Sequence, residues 1–215
     1  YRKSDLVVAN SRNTKRLVKE LAPGAQVVCI HPGVDVRAIS PDPRAAERFR
    51  SSLPWSAETL VLCTVARMEA RKNQASVITA ISRLRREGKS VAYICAGDGP
   101  EGANLRAQAV REGVSDHVVF PGEVPDAERN AIINGCDVCI MPSIRAGNVF
   151  EGFGMLFMEA AAAGRPSIAG NSGGQPEAVL HEETGLVVDG RSVDEICSAI
   201  ARMMDPATRA AMGGR

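Results

Sequence analysis

Apolar runs about the length of a strand recur along the chain: DLVVA, QVVCI, TLVLCTVA, VAYICAG, HVVF, DVCIMP, PSIAG and GLVV. They are rich in Val and Ile and continuous rather than alternating, the pattern of strands covered on both faces. Between them lie amphipathic stretches: SRNTKRLVKELA, NQASVITAISRLRREG, EGANLRAQAVREG, DAERNAIING, GMLFMEAAAAG and SVDEICSAIARMM. Strand followed by helix, repeated, predicts an α/β fold with a doubly wound parallel sheet. In ITAISRLRREG, Ile78, Ile81 and Leu84 recur at helical spacing, and Gly88 is expected to end that helix at C′. Ser192 with Glu195 three residues on reads as a capping box.

One segment breaks the rhythm. HPGVDVRAISPDPRAAERFRSSLPWSAE carries four prolines and no clear periodicity, and reads as a crossover or hinge. Residues 1 to about 33 are then expected to finish one domain and residues 34–215 to form a second. Tyr1 already falls inside what reads as structure, so the expectation is a piece of a longer chain.

Composition narrows the partners. With 26 Lys+Arg against 25 Asp+Glu the net charge is +1, which supplies no general attraction to nucleic acid or to an anionic membrane. No apolar run is long enough to span a bilayer, and no signal peptide opens the chain. Cys63, Cys95 and Cys139 fall in apolar runs, where cysteine behaves as a small hydrophobe. Cys136 and Cys139 form a C-x-x-C, but there is no second pair for zinc, and the motif runs into a strand rather than opening a helix. Reduced core thiols of a cytoplasmic protein are the expectation.

In doubly wound sheets ligands sit beyond the carboxyl ends of the strands, which selects the loops to read. RMEARKN follows TLVLCTVA and puts Arg67 and Lys72 in one short connection. GDGPEG follows VAYICA, and the long SIRAGNVFEGFG follows DVCIMP and leads into a helix starting near Gly154 or Met155. Two cations at one strand end and a helix N-terminus without a side-chain cap at another make a site for a diphosphate. Gly152 and Gly154 allow close approach of the backbone. Glu151 and Glu159 bracket the helix start, Glu159 suited to ribose hydroxyls and Glu151 to hydroxyls of a sugar beyond the phosphates. Phe157, Met158 and the alanines around Glu159 suggest a mostly buried helix, so this carboxylate is expected to have a polar partner.

RMEARK, GDGP, EGFGMLFMEAAAAGRP with its E-x7-E, SGGQPEAV and TGLVV, in this order, resemble the carboxyl-terminal donor-binding domain of a retaining GT-B glycosyltransferase of family 4. The likeness is greatest to the phosphatidylinositol mannosyltransferase branch. It implies a Rossmann-like sheet, with residues 1–33 a remnant of the amino-terminal acceptor domain and its hinge, the rest of that domain being a missing partner. It further implies transfer of a hexose-type sugar from a nucleoside diphosphate sugar, without an essential metal or other cofactor. The acceptor is open: lipid at the inner membrane face, glycan or small molecule. By position, Arg67 and Lys72 match the pair on the donor diphosphate, Glu151 the contact to the transferred sugar, and Glu159 the ribose contact. Backbone amides of Phe153, Gly154, Met155 and Leu156, with Gly152, match the sugar- and phosphate-binding turn, and Val124 the loop that holds the base.

Blander roles are expected elsewhere. Asp98 reads as a turn residue and Trp55 as a packing anchor, while Gly173, Gly174 and Glu177 read as shaping a turn and a helix cap. His31, His117 and His181 show no catalytic partner in the sequence. The rival readings are a sugar-nucleotide 2-epimerase of the same fold, against which the E-x7-E argues, and a non-catalytic sugar-nucleotide-binding domain.

Overall fold

The computed structural model describes residues 4–214. Strand β1 (Val7–Ala9), helix α1 (Arg12–Leu21) and strand β2 (Val27–Cys29) form a parallel two-stranded unit with its own small core. Ala9 and Val27 face Val18, Ala22 and Ala25, whereas Leu6, Val8, Val28 and Ile30 stay exposed. A parallel pair ordinarily has both faces covered, so this unit presents one apolar face without cover among the described residues.

The segment read as aperiodic holds two helices, which corrects that reading. Helix α2 (Val36–Ile39) starts at Asp35, and helix α3 (Pro43–Ser52) starts at Asp42, whose Oδ1 accepts from the Ala45 amide at 2.9 Å. Proline at N1 is favourable, because that N–H has no helical partner. The same prolines obscure the periodicity. Ile39 enters the main core, Phe49 packs against it, and the Asp42 amide donates to Asn134 at 2.9 Å.

The remaining elements build one sheet. They are β3 (Leu60–Val65), α4 (Gln74–Arg86), β4 (Val91–Ala96), α5 (Gly102–Arg111), β5 (Val118–Gly122), α6 (Asp126–Gly135) and β6 (Val138–Met141). After them come α7 (Met155–Ala162), β7 (Ser167–Gly170), α8 (Gln175–Ala178), β8 (Gly185–Val188), α9 (Val193–Arg202) and α10 (Pro206–Gly213). All eight apolar runs are strands; α8 and α10 are additions to the expected helices.

Six parallel strands lie in the order β5-β4-β3-β6-β7-β8. Along β3, Leu60 and Leu62 enter one core layer with Ile78, Ile81, Leu84 and Ile196. Val61 and Cys63 enter the other with Ile132, Leu156 and Phe157. Helices therefore cover both faces, as the continuous apolar runs required. The chain leaves β3 toward β4 on one side and returns after β5 to β6 on the other, which makes the β3/β6 boundary the switch point where such sheets bind ligands.

Two local expectations resolve in detail. Gly88 has φ +78° and ends α4 as expected. The capping box is half formed: Ser192 Oγ accepts from the Glu195 amide at 3.2 Å, but Glu195 accepts from the Asp189 amide at 2.7 Å instead of reaching back to Ser192. The Ser192 amide is already taken by the Asp189 carbonyl.

Candidate functional site

A cavity of about 680 Å³ opens at the switch point. It is lined from the carboxyl end of β3 by Arg67, Arg71 and Lys72, from β4 by Gly97–Gly99, and from β5 by Glu123 and Val124. Arg129 of α6 and Glu151, Met155, Leu156 and Glu159 around the start of α7 complete the wall. Arg67, Lys72, Glu151, Glu159, Val124, Met155 and Leu156 are therefore brought together as the motifs suggested. Gly152, Phe153 and Gly154 are not among its lining residues; they form the turn that leads into α7.

Lys72 reaches the cavity because residues 70–72 form a single 3-10 turn that ends at Asn73, in the left-handed region with φ +63°. The buried Asn73 side chain donates to the Pro142 and Gly190 carbonyls at 3.0 and 2.6 Å, and the Ile144 amide donates to the Arg71 carbonyl at 2.9 Å. The loop after β3 is thereby fastened to the loop after β6. Gln175, fully buried, continues the fastening: it donates to Ser143 and Ser172 carbonyls and accepts from the Gly170 amide at 3.0 Å.

The two glutamates have different surroundings. Glu151 pairs with Lys72 and, at 2.9 Å, with Arg71, and Arg71 also bonds Glu69 at 2.9 Å. Both partners are largely shielded, Lys72 with 11% and Glu151 with 13% of the side chain exposed. Arg67 differs: 73% of it is exposed, and its partner is Glu69 at 3.1 Å. Glu159 lies 3.4 Å from Arg129. Burial pushes the Glu159 carboxyl above its ordinary range, with Arg129 pulling it back only in part. The polar partner expected for Glu159 is Arg129.

Helix α7 begins at Gly154, with φ +103° and no side-chain cap. Its first amides are therefore available to an acceptor, and its dipole favours an anion. Lys72, Arg71 and Arg67 supply positive charge at the neighbouring strand end. Glu151 occupies two of those cations, so an incoming diphosphate would exchange one anionic partner for another. Sequence reasoning missed Arg71, masked by attention to the ends of R-x4-K. It also missed Arg129, which only tertiary packing brings to Glu159.

Residues 45–213 match the family described as Glycosyl transferases group 1. The chain belongs to this family. It is 41% identical over 98% of its length to the GDP-mannose-dependent alpha-(1-6)-phosphatidylinositol monomannoside mannosyltransferase of Mycobacterium tuberculosis, covering 55% of that protein. It is 39% identical to the protein of the same name from Mycolicibacterium smegmatis, over 98% of this chain and 56% of that one. The chain thus spans about half the length of the curated relatives it matches. Among solved structures, Anabaena Alr3699/HepE in complex with UDP and glucose superposes with a TM-score of 0.84 at 24% identity, over 98% of this chain and 56% of that one. The GT-B glycosyltransferase fold read from the sequence is the fold observed.

Asp98 Oδ1 accepts from the Gly99 amide at 2.7 Å, a turn role, although the residue also lines the cavity. Trp55 packs against the core and donates to the Asp116 carbonyl at 2.8 Å. Cys136 ends α6 and Cys139 lies on β6; with Cys63 their sulfurs stand 3.3, 3.5 and 3.8 Å apart, all buried and all free thiols. His31 Nε2 lies 2.9 Å from Glu177, a pairing outside the cavity lining that the sequence does not show. Among the described residues no helix is long and apolar enough to cross a membrane.

Proposed function

We propose that the chain is the donor-binding half of a retaining glycosyltransferase of family 4 that moves a hexose-type sugar from a nucleoside diphosphate sugar to an acceptor. The observation that carries this reading is the switch-point cavity itself. Three cations face the uncapped start of α7, and Glu151 and Glu159 stand on either side of that start. In this reading Arg67, Lys72 and the α7 amides hold the diphosphate, Glu159 takes ribose, Glu151 takes sugar hydroxyls and Val124 lies against the base. Leaving-group charge grows on the phosphate as the glycosidic bond breaks, and preorganised cations act on that charge. The same side chains neutralise the phosphates without an essential metal.

The GDP-mannose dependence in the relatives' names supports GDP-mannose as donor, and the lipid in those names supports a lipid acceptor. The complex of the Anabaena protein with UDP and glucose supports a nucleotide sugar as ligand. Residues 1–33 are read as the closing elements of an acceptor-binding domain; the uncovered face formed by Leu6, Val8, Val28 and Ile30 supports that boundary. A thermal-shift comparison of GDP, GDP-mannose, UDP and UDP-glucose tests the donor reading, because ligand that binds only the native state raises apparent stability. A shift with at least one nucleoside diphosphate is expected. No shift with any of them would overturn it.

A further inference from the structure

The S-G-G-Q-P-E motif does not line the cavity, yet it touches the backbone of the Glu151 turn. The Gly174 amide donates to the Glu151 carbonyl at 2.9 Å. A Cβ at Gly173 would collide with the Glu151 carbonyl oxygen, and one at Gly174 with the Gly152 carbonyl oxygen. The turn in this way rests directly on the bare backbone of the motif. Three residues on, Glu177 leaves this contact and reaches the two-stranded unit. Its carboxylate accepts from the Arg12 amide at 2.7 Å and the Asn13 amide at 2.9 Å, at the start of α1. The same carboxylate meets His31 Nε2 at 2.9 Å. The His31 ring closes the circuit by stacking on Phe153, with centroids 5.1 Å apart and planes 23° from parallel.

Further contacts join the same three segments. A Cβ at Gly152 would lie 2.7 Å from the Asn10 side-chain nitrogen, and one at Gly174 would lie 2.9 Å from the Ser11 Cβ. The turn preceding α7 is therefore wedged between the β1–α1 turn and the motif. Among the described residues Glu177 is the one carboxylate that bonds to α1, to His31 and so, through the stack, to Phe153. Partial burial works against its charge, but the two amides and the imidazole outweigh that and hold the carboxyl below its ordinary range. An anion at the start of α1 also complements that helix's dipole.

We propose that Glu177 and His31 are positioning residues: they lock the Glu151–Gly154 turn against residues 10–13, so the sugar end of the donor site is set by how the two-stranded unit docks. The inference rests on the donor-binding reading for its ligand arm only. Neither residue lines the cavity, so their loss should act through the turn. Glu151 contacts the sugar in that reading while Glu159 on α7 contacts the ribose, which makes the expected effect selective.

The test compares the parent chain with Glu177→Ala, Glu177→Gln, His31→Ala and His31→Phe. Calorimetry with GDP, GDP-mannose, UDP and UDP-glucose reads the ligand arm, and amide exchange at residues 10–13 and 151–154 reads the coupling without ligand. Glu177→Ala and His31→Ala should weaken nucleotide-sugar binding on the order of tenfold, with nucleoside diphosphate within about twofold. His31→Phe, which keeps the stack, should recover part of the loss, and Glu177→Gln should fall between parent and alanine. Exchange at 151–154 should rise together with that at 10–13. Equal weakening of both ligand types, or faster exchange at 10–13 with 151–154 unchanged, would overturn the proposal. If the parent chain bound none of the four ligands, the donor-binding reading alone would fall, and the exchange comparison would still decide the coupling.

Discussion

Arg129 on α6 brings its guanidinium to 3.4 Å from the Glu159 carboxylate on α7. Burial raises the Glu159 pKa, Arg129 lowers it, and Asp126 raises it again, with a net upward shift. A carboxyl whose folded pKa lies above its unfolded value binds more protons in the native state. Its contribution is therefore full in acid and is lost as pH rises through the folded pKa. Glu159→Gln should melt higher than the parent at pH 7, with the gap closing toward about pH 4, the ordinary range of Glu. Arg129→Ala should melt lower at pH 7, with the gap narrowing in acid. Thermal denaturation across that range checks both; a Glu159→Gln protein less stable at pH 7 would contradict the assignment.

The same glutamate is expected to matter for ligand. Glu159→Ala should weaken both nucleoside diphosphate and nucleotide sugar, whereas Glu151→Ala should weaken the nucleotide sugar alone. Each lost hydrogen bond to a charged group corresponds to roughly 1.5–3 kcal/mol. Titration calorimetry decides it, and equal losses on both ligands for Glu151→Ala would remove the sugar contact from Glu151.

In the whole enzyme, Lys72→Ala should lower kcat more than it raises KM for donor, because a cation at the leaving phosphate gains most in the transition state. A loss on the order of 100- to 1000-fold in kcat is expected. Arg67→Ala should cost less. Its side chain is 73% exposed against 11% for Lys72, and water screens its charge. Lys72→Arg should rescue only in part, since a planar fork does not fill the place of a point charge on a flexible stem. Steady-state kinetics of the three variants measures this; a rise in KM with kcat unchanged would leave these cations as mere holders of substrate.

Gly174→Ala places a methyl group against the Gly152 carbonyl oxygen and the Ser11 Cβ. Backbone must move to admit it, and overpacking of this kind costs about 1–3 kcal/mol. Urea denaturation should show that loss, and nucleotide-sugar binding should weaken with it. A variant as stable as the parent would mean that the turn is not wedged.

Thiol labelling tests the core. Cys29 and Cys197 are partly exposed, whereas Cys63, Cys95, Cys136 and Cys139 are buried, and burial pushes the Cys95 thiol up to about 12. In a native chain at pH 8, Cys29 and Cys197 should react with an aromatic disulfide reagent well before the others, which should react only on unfolding. Rapid reaction of a third thiol in the native chain would count against a closed core.

The eight strands were legible because each is a continuous apolar run of strand length, and a parallel sheet covered on both faces demands that pattern. The same runs locate the loops at the strand ends, and hence Lys72, Glu151 and Glu159. Helices α2 and α3 were not legible: their prolines erase the periodicity, and their docking on α6 depends on partners such as Asn134, distant in the chain. Arg129 was equally hidden, since a charge on an amphipathic helix looks like any solvated charge until a neighbouring helix brings a carboxylate to it. Local pattern records which residues share a face; it carries nothing about which faces meet. That is why the partnership of Glu177 with His31, and through Phe153 with the Glu151–Gly154 turn, belongs to the tertiary structure alone.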